Sequence, residues 1–253
     1  MKKYFILLSL GILCCIGNMQ AQKRVSILGD SYSTFKGHVT PEKNAIWYPA
    51  NKNDVVKLEQ TWWYQFINNY GYILDTNNSF SGSTICNTGY RQEDYSDRSF
   101  ITRMNNLGNP DLILIFGATN DSWAGAPIGE YKYDSWTQEE LYSFRPALAY
   151  LLSNLQHLYP QAKVYYLLNS ELKSSINESV YTICKHYDTP VITLYNIEKQ
   201  QGHPSIAGMQ AISMQLQNFL EKEAEQTEIQ ALKNELQDIK SQLWEIKQLL
   251  QAK

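Results

Sequence analysis

Apolar runs and stretches of helical period alternate along most of this chain. Residues 24–28 form a short apolar run that halts at Gly29-Asp30, as a buried strand would. Residues 60–70 carry a helical pattern, and residues 72–77 predict a second strand. The clearest strand is 111–116, Asp-Leu-Ile-Leu-Ile-Phe, introduced by Asn109-Pro110 and ended by Gly117. A continuous aliphatic run of that kind suits a strand covered on both faces of a parallel sheet. Residues 145–158 predict a helix with Pro146 in its first turn and Leu148, Leu151, Leu152 and Leu155 as its apolar positions. A strand at 163–168, a helix at 176–186, a strand at 190–195 and a helix at 205–220 complete the series. This alternation predicts an α/β fold, a three-layer α/β/α sandwich around a parallel sheet. Ligands of such sheets sit outside the carboxyl ends of the strands. Ser31, Asn120 and the segment before His203 each follow a predicted strand, and so fall at that edge.

The two ends of the chain follow other patterns. Lys2 and Lys3 precede an apolar run over residues 4–16, and Ala21 offers a small residue for cleavage before Gln22. Residues 1–21 read as a signal peptide, and the run is short for a membrane span. Export would place the protein in the periplasm or outside the cell. Cys14 and Cys15 do not follow the small residues usual before a lipidated cysteine.

Beyond a domain predicted over 22–220, residues 221–253 predict a coiled coil. The composition there turns to Glu, Gln, Lys and Leu. Ile229, Leu236, Leu243 and Leu250 fall at heptad position a, and Leu232, Ile239 and Ile246 at d. Position e holds Lys233, Lys240 and Lys247, while g holds Glu228 and Glu235. The pattern predicts a homo-oligomer through residues 225–250. Mostly Leu at a with Ile at d points to a trimer or tetramer.

Composition changes this picture little. A formal charge of −3 leaves no broad basic face, so nucleic acid is not an expected partner. Once the signal is removed, Cys86 and Cys184 read as two small buried thiols. His, Cys and carboxylates show no metal-ligand spacing, and no metal or cofactor is expected.

Candidate chemistry begins at Gly29-Asp30-Ser31, at the end of the first strand. A serine at a tight strand-to-helix turn stands clear of the sheet, but it needs a base to become a nucleophile. Asn78-Ser79-Phe80-Ser81-Gly82-Ser83 follows the second strand, Gly117-Ala118-Thr119-Asn120-Asp121 follows the strongest one, and Gly202-His203-Pro204 precedes the helix at 205–220. In this order and strand context the four blocks resemble the SGNH/GDSL hydrolase superfamily, across essentially the whole of 22–220. The resemblance implies the flavodoxin-like sandwich and a serine esterase in which Ser31 attacks and His203 is the base. It also implies that the N–H groups of Ser31 and Gly82 and the amide of Asn120 hold the oxyanion.

One position departs from the family. An Asp usually stands three residues before the histidine; here it is Gln200. Three readings stay open at this point: Glu198 substitutes, a backbone carbonyl orients the ring in a Ser-His dyad, or catalysis is weakened. His157 and His186 read as structural or solvated, and His38 as a surface residue. Eighteen tyrosines and six tryptophans are many for this length. Several lie in irregular stretches beside the expected site, residues 36–54 and 122–136, and Trp47, Tyr48 and Trp123 are the candidate substrate contacts. Flat aromatic faces suit sugar rings, which points to short acyl groups, acetyl foremost, on carbohydrate. Two other readings stay open: a lipase or thioesterase of the same superfamily, and a silent oligomeric glycan-binding module.

Overall fold

The structure, a computed structural model, describes residues 22–251, and the signal peptide expected over 1–21 lies outside them. Five strands, β1 (Arg24–Gly29), β2 (Ile73–Ser79), β3 (Leu112–Gly117), β4 (Lys163–Leu168) and β5 (Val191–Thr193), form a parallel sheet in the order β2-β1-β3-β4-β5. The aliphatic run of β3 shows why both faces must be covered. Ile113 and Ile115 point into one core, while Leu112, Leu114 and Phe116 point into the other, as a period of two requires.

The first core is closed by helices α4 (Phe144–Leu158) and α5 (Ser174–His186). The second is closed by α1 (Trp62–Tyr70) and the start of α6 (Ile206–Gln251), which bring in Trp62, Trp63, Phe66, Met209, Ile212 and Leu216. The three layers expected from the sequence are all present. Strand order reverses between β1 and β3, the point of the carboxyl edge at which sheets of this kind place a site. Two short helices lie at this end, α2 (Phe100–Arg103) and α3 (Thr119–Ala124). The second occupies the start of a stretch expected to be irregular. Cys86 and Cys184 are buried free thiols.

At the C-terminal end, the helix expected to stop at residue 220 continues without a break to Gln251. The cause is local: no Gly or Pro occurs after Gly208, and the segment is filled with strong helix formers. Glu223 makes its last side-chain tie to the domain, accepting from the Tyr165 hydroxyl and pairing with Lys163 Nζ at 2.8 Å. Every residue described from 224 onward is exposed, the side chain of residue 249 not being among those described.

Candidate active site

Ser31 opens a single 3-10 turn, Ser31–Ser33, directly after β1. Asp30 caps that turn by accepting the Tyr32 N–H at 3.0 Å. Gly29 is required by crowding: a Cβ there would lie 2.5 Å from Ser79 Oγ and 2.7 Å from Ser33 Cβ. The Asp30 carboxyl is fully buried, and desolvation pushes its pKa up to about 7 against the opposing Tyr32 N–H and the charge of Arg103.

His203 arrives from the other end of the chain. Two short strands, β6 (Lys199–Gln200) and β7 (His203–Pro204), pair antiparallel, with Gln200 opposite His203. The two residues joining them, Gln201 and Gly202, both have left-handed backbones, at φ +53° and +72°. That is the twist a two-residue hairpin loop needs. It points the Gln201 carbonyl at His203 Nδ1, 3.1 Å away, and leaves Nε2 2.9 Å from Ser31 Oγ. The loop is held from several sides: Tyr32 donates its hydroxyl to Gly202 O at 2.6 Å, and Tyr48 donates to Pro204 O at 2.8 Å.

Neither side chain considered for orienting His203 reaches it. Glu198 accepts from the Ser205 hydroxyl at 2.6 Å. Gln200 turns away to Asp54, accepting its N–H at 2.9 Å and donating to its carboxylate at 3.2 Å. The partner on Nδ1 is a backbone carbonyl. Trp47 lies flat on the imidazole, with ring centroids 3.7 Å apart and planes 5° from parallel. Trp47 is thus half-buried against the histidine. Tyr48, expected among the substrate contacts, is fully buried and braces the histidine loop, so it cannot touch a ligand. Trp123 is 45% exposed and stands edge-on to His203 at 6.2 Å, on the rim. His157 sits on α4 and bonds Ser153 O, while His186 stacks on Tyr133, both away from the dyad.

Gly82 and Asn120 belong to a second set of ties, which links the loop after β2 to α3 and to the end of β1. Gly82 has φ +83°, with open space where a side chain would be. Among the described residues, no protein acceptor takes the N–H of Ser31 or of Gly82. Asn120, on α3, donates from Nδ2 to Ser83 O at 3.0 Å and accepts the Tyr90 hydroxyl on Oδ1 at 2.8 Å. Its amide is fixed at both ends, and its second N–H remains available. Asp121 accepts the N–H groups of Ile85, at 2.8 Å, and Cys86, at 3.3 Å, and so pins the loop after Ser83. Burial raises its pKa to about 6 against those N–H groups.

Arg103 and Tyr90 are site residues that the sequence reading passed over. Arg103 is buried, and burial lowers its pKa to about 9 against the pull of Asp30. It donates to Gly29 O at 3.1 Å, to Ser83 Oγ at 2.8 Å and to Asn78 O. One guanidinium thereby ties the ends of β1 and β2 to the Gly82 loop.

The sequence profile of the family described as GDSL-like Lipase/Acylhydrolase matches residues 23–220. The chain belongs to this family. It is therefore an ester hydrolase. No curated protein is found to match it. Among solved structures, a protein from Bacteroides ovatus assigned as a GDSL-like lipase is 58% identical, with a TM-score of 0.79 over 80% of this chain and 100% of its own. A protein from Bacteroides uniformis with the same assignment is also 58% identical, with a TM-score of 0.79 over 80% of this chain and 97% of its own. A family two carbohydrate esterase from Clostridium thermocellum, solved with cellohexaose, is 14% identical, with a TM-score of 0.54 over 80% of this chain and 65% of its own, a likeness of fold. The GDSL match ends where α6 leaves the domain.

Proposed function

We propose that this GDSL hydrolase is an exported serine esterase that removes short acyl groups, acetyl foremost, from carbohydrate. The observation that carries the catalytic part is the 2.9 Å contact between Ser31 Oγ and His203 Nε2. Ser31 Oγ adds to the ester carbonyl as its proton passes to Nε2, and the carbonyl electron pair moves onto oxygen. The N–H groups of Ser31 and Gly82 and the amide of Asn120 receive that oxyanion. Collapse of the intermediate expels the alcohol, which takes the proton from the imidazolium. Water then attacks the acyl-serine by the same route in reverse and releases the carboxylic acid. The Gln201 carbonyl fixes the Nδ1–H tautomer, and Trp47 holds the ring plane and faces the imidazolium with its π-cloud.

The exposed indole of Trp123 beside the dyad supports a sugar ring as leaving group, and the pattern of residues 1–21 supports export. The test is a series of p-nitrophenyl acetate, butyrate and octanoate beside acetylated cello-oligosaccharides. Acetate should be cleaved fastest, and acetate should be released from the glycans. Preference for octanoate, or glycans left intact, would overturn the reading.

The histidine's surroundings set the pH response. Burial lowers its pKa below the ordinary 6.5, partly opposed by the Gln201 carbonyl. Only neutral imidazole accepts the serine proton, so the acid-side decline of kcat/KM should fall at a lower pH than an ordinary histidine would give, and a decline centred above 6.5 would contradict this. Trp47→Ala should lower kcat about 5- to 30-fold at pH 7.5, the equivalent of about 1–2 kcal/mol of cation–π support, with KM little changed. Trp47→Phe should recover most of the loss. A change confined to KM would instead make Trp47 a substrate contact.

A further inference from the structure

The part of the molecule that the esterase site does not use is the projecting end of α6. From residue 224 to 251 it is one helix, about 42 Å long at 1.5 Å per residue. Its seven heptad-core side chains, Ile229, Leu232, Leu236, Ile239, Leu243, Ile246 and Leu250, are each between 45% and 70% exposed. Trp244, at position b, lies outside that seam. A solvated helix with a continuous apolar stripe on one side lacks the burial that stabilises such helices.

We propose that this stripe is covered by the same segment of other copies of the chain, in a parallel bundle of three or four. The charges flanking the stripe identify the occupant. Glu228 and Glu235 occupy position g, and Lys233 and Lys240 position e. In a parallel bundle g of one helix faces the following e of its neighbour, so Glu228 meets Lys233 and Glu235 meets Lys240. An antiparallel pair would set glutamate against glutamate and lysine against lysine, which repels. Docking back onto the chain's own domain needs no such order of charge. Leu at a with Ile at d in the second and third heptads favours three or four strands over two. The family match ends at residue 220, before the heptad segment begins.

Light scattering on the mature chain, residues 22–253, should give the mass of three or four chains. The same chain ended after Ala224, which keeps the Glu223 ties, should give the mass of one. Both should cleave p-nitrophenyl acetate at equal rates per active site, which shows that the shortened domain is folded. A single-chain mass for the mature protein, or an unchanged oligomer after truncation, would overturn the proposal. Charge exchange then tests the direction. Glu228→Lys with Glu235→Lys, and separately Lys233→Glu with Lys240→Glu, should each raise the concentration for half-assembly at least tenfold. An equimolar mixture of the two should assemble again. Either variant assembling alone like the wild type, or a mixture no better assembled than its two components, would refute parallel pairing.

Discussion

Replacement of Ser31 by alanine is expected to lower kcat toward p-nitrophenyl acetate by on the order of 10⁴- to 10⁶-fold, with the fold unchanged. The hydroxyl oxygen is the only heavy atom removed, and its one side-chain partner is His203 Nε2. What is lost is the bond-forming oxygen at 2.9 Å from His203 Nε2. The oxyanion donors survive, so some acceleration over water persists. Circular dichroism and melting temperature should match the wild type, because Asp30 caps the turn through the backbone of Tyr32 rather than through the serine side chain. A rate within tenfold of the wild type would remove Ser31 from the mechanism.

Asn120→Ala should cost about 10²- to 10³-fold in kcat, as loss of one oxyanion donor does, while KM moves little. The separation follows from the chemistry: charge develops on the carbonyl oxygen only in the transition state, so the donor contributes little to ground-state binding. The structure strengthens the expectation. With Tyr90 on Oδ1 and Ser83 O on one N–H, the amide cannot rotate, and its second N–H is held in one direction. Such preorganisation is what makes a donor effective. Steady-state kinetics on purified variant and wild type would check this, and a loss below about fivefold would exclude Asn120 from the oxyanion site.

Local pattern carried much of the architecture. The aliphatic run of β3 and the Pro146-led helix α4 were legible because burial on both faces and helix initiation leave marks within a few residues. The blocks that hold Ser31 and His203, which meet at 2.9 Å, were legible in order. Their supports were not. Trp47 meets His203 from an irregular loop 156 positions earlier in sequence, and Arg103 is satisfied by carbonyls and a hydroxyl from separate segments. Neither arrangement has a periodicity to read. Tyr48 was misplaced because an aromatic in a loop near a site reads the same whether it faces ligand or core; only tertiary packing distinguishes them. The vacant carboxylate position at Gln200 was visible in sequence, whereas its replacement by the Gln201 carbonyl depended on the left-handed turn that presents it.

The unbroken course of α6 from core to tip makes orientation a matter of counting. Each residue of an α-helix advances 1.5 Å and turns 100°. In the proposed bundle, one residue inserted after Ala224 would turn each catalytic domain about 100° around the axis of its own helix, and so change the direction in which every Ser31-His203 pair faces, while leaving each domain and every heptad intact. Seven inserted residues would bring the pairs back to within about 20° of where they began. The compass bearing of the active sites around the assembly is thus written in the number of residues between Glu223 and Ile229, and a ladder of insertions would read it out on a polymeric substrate.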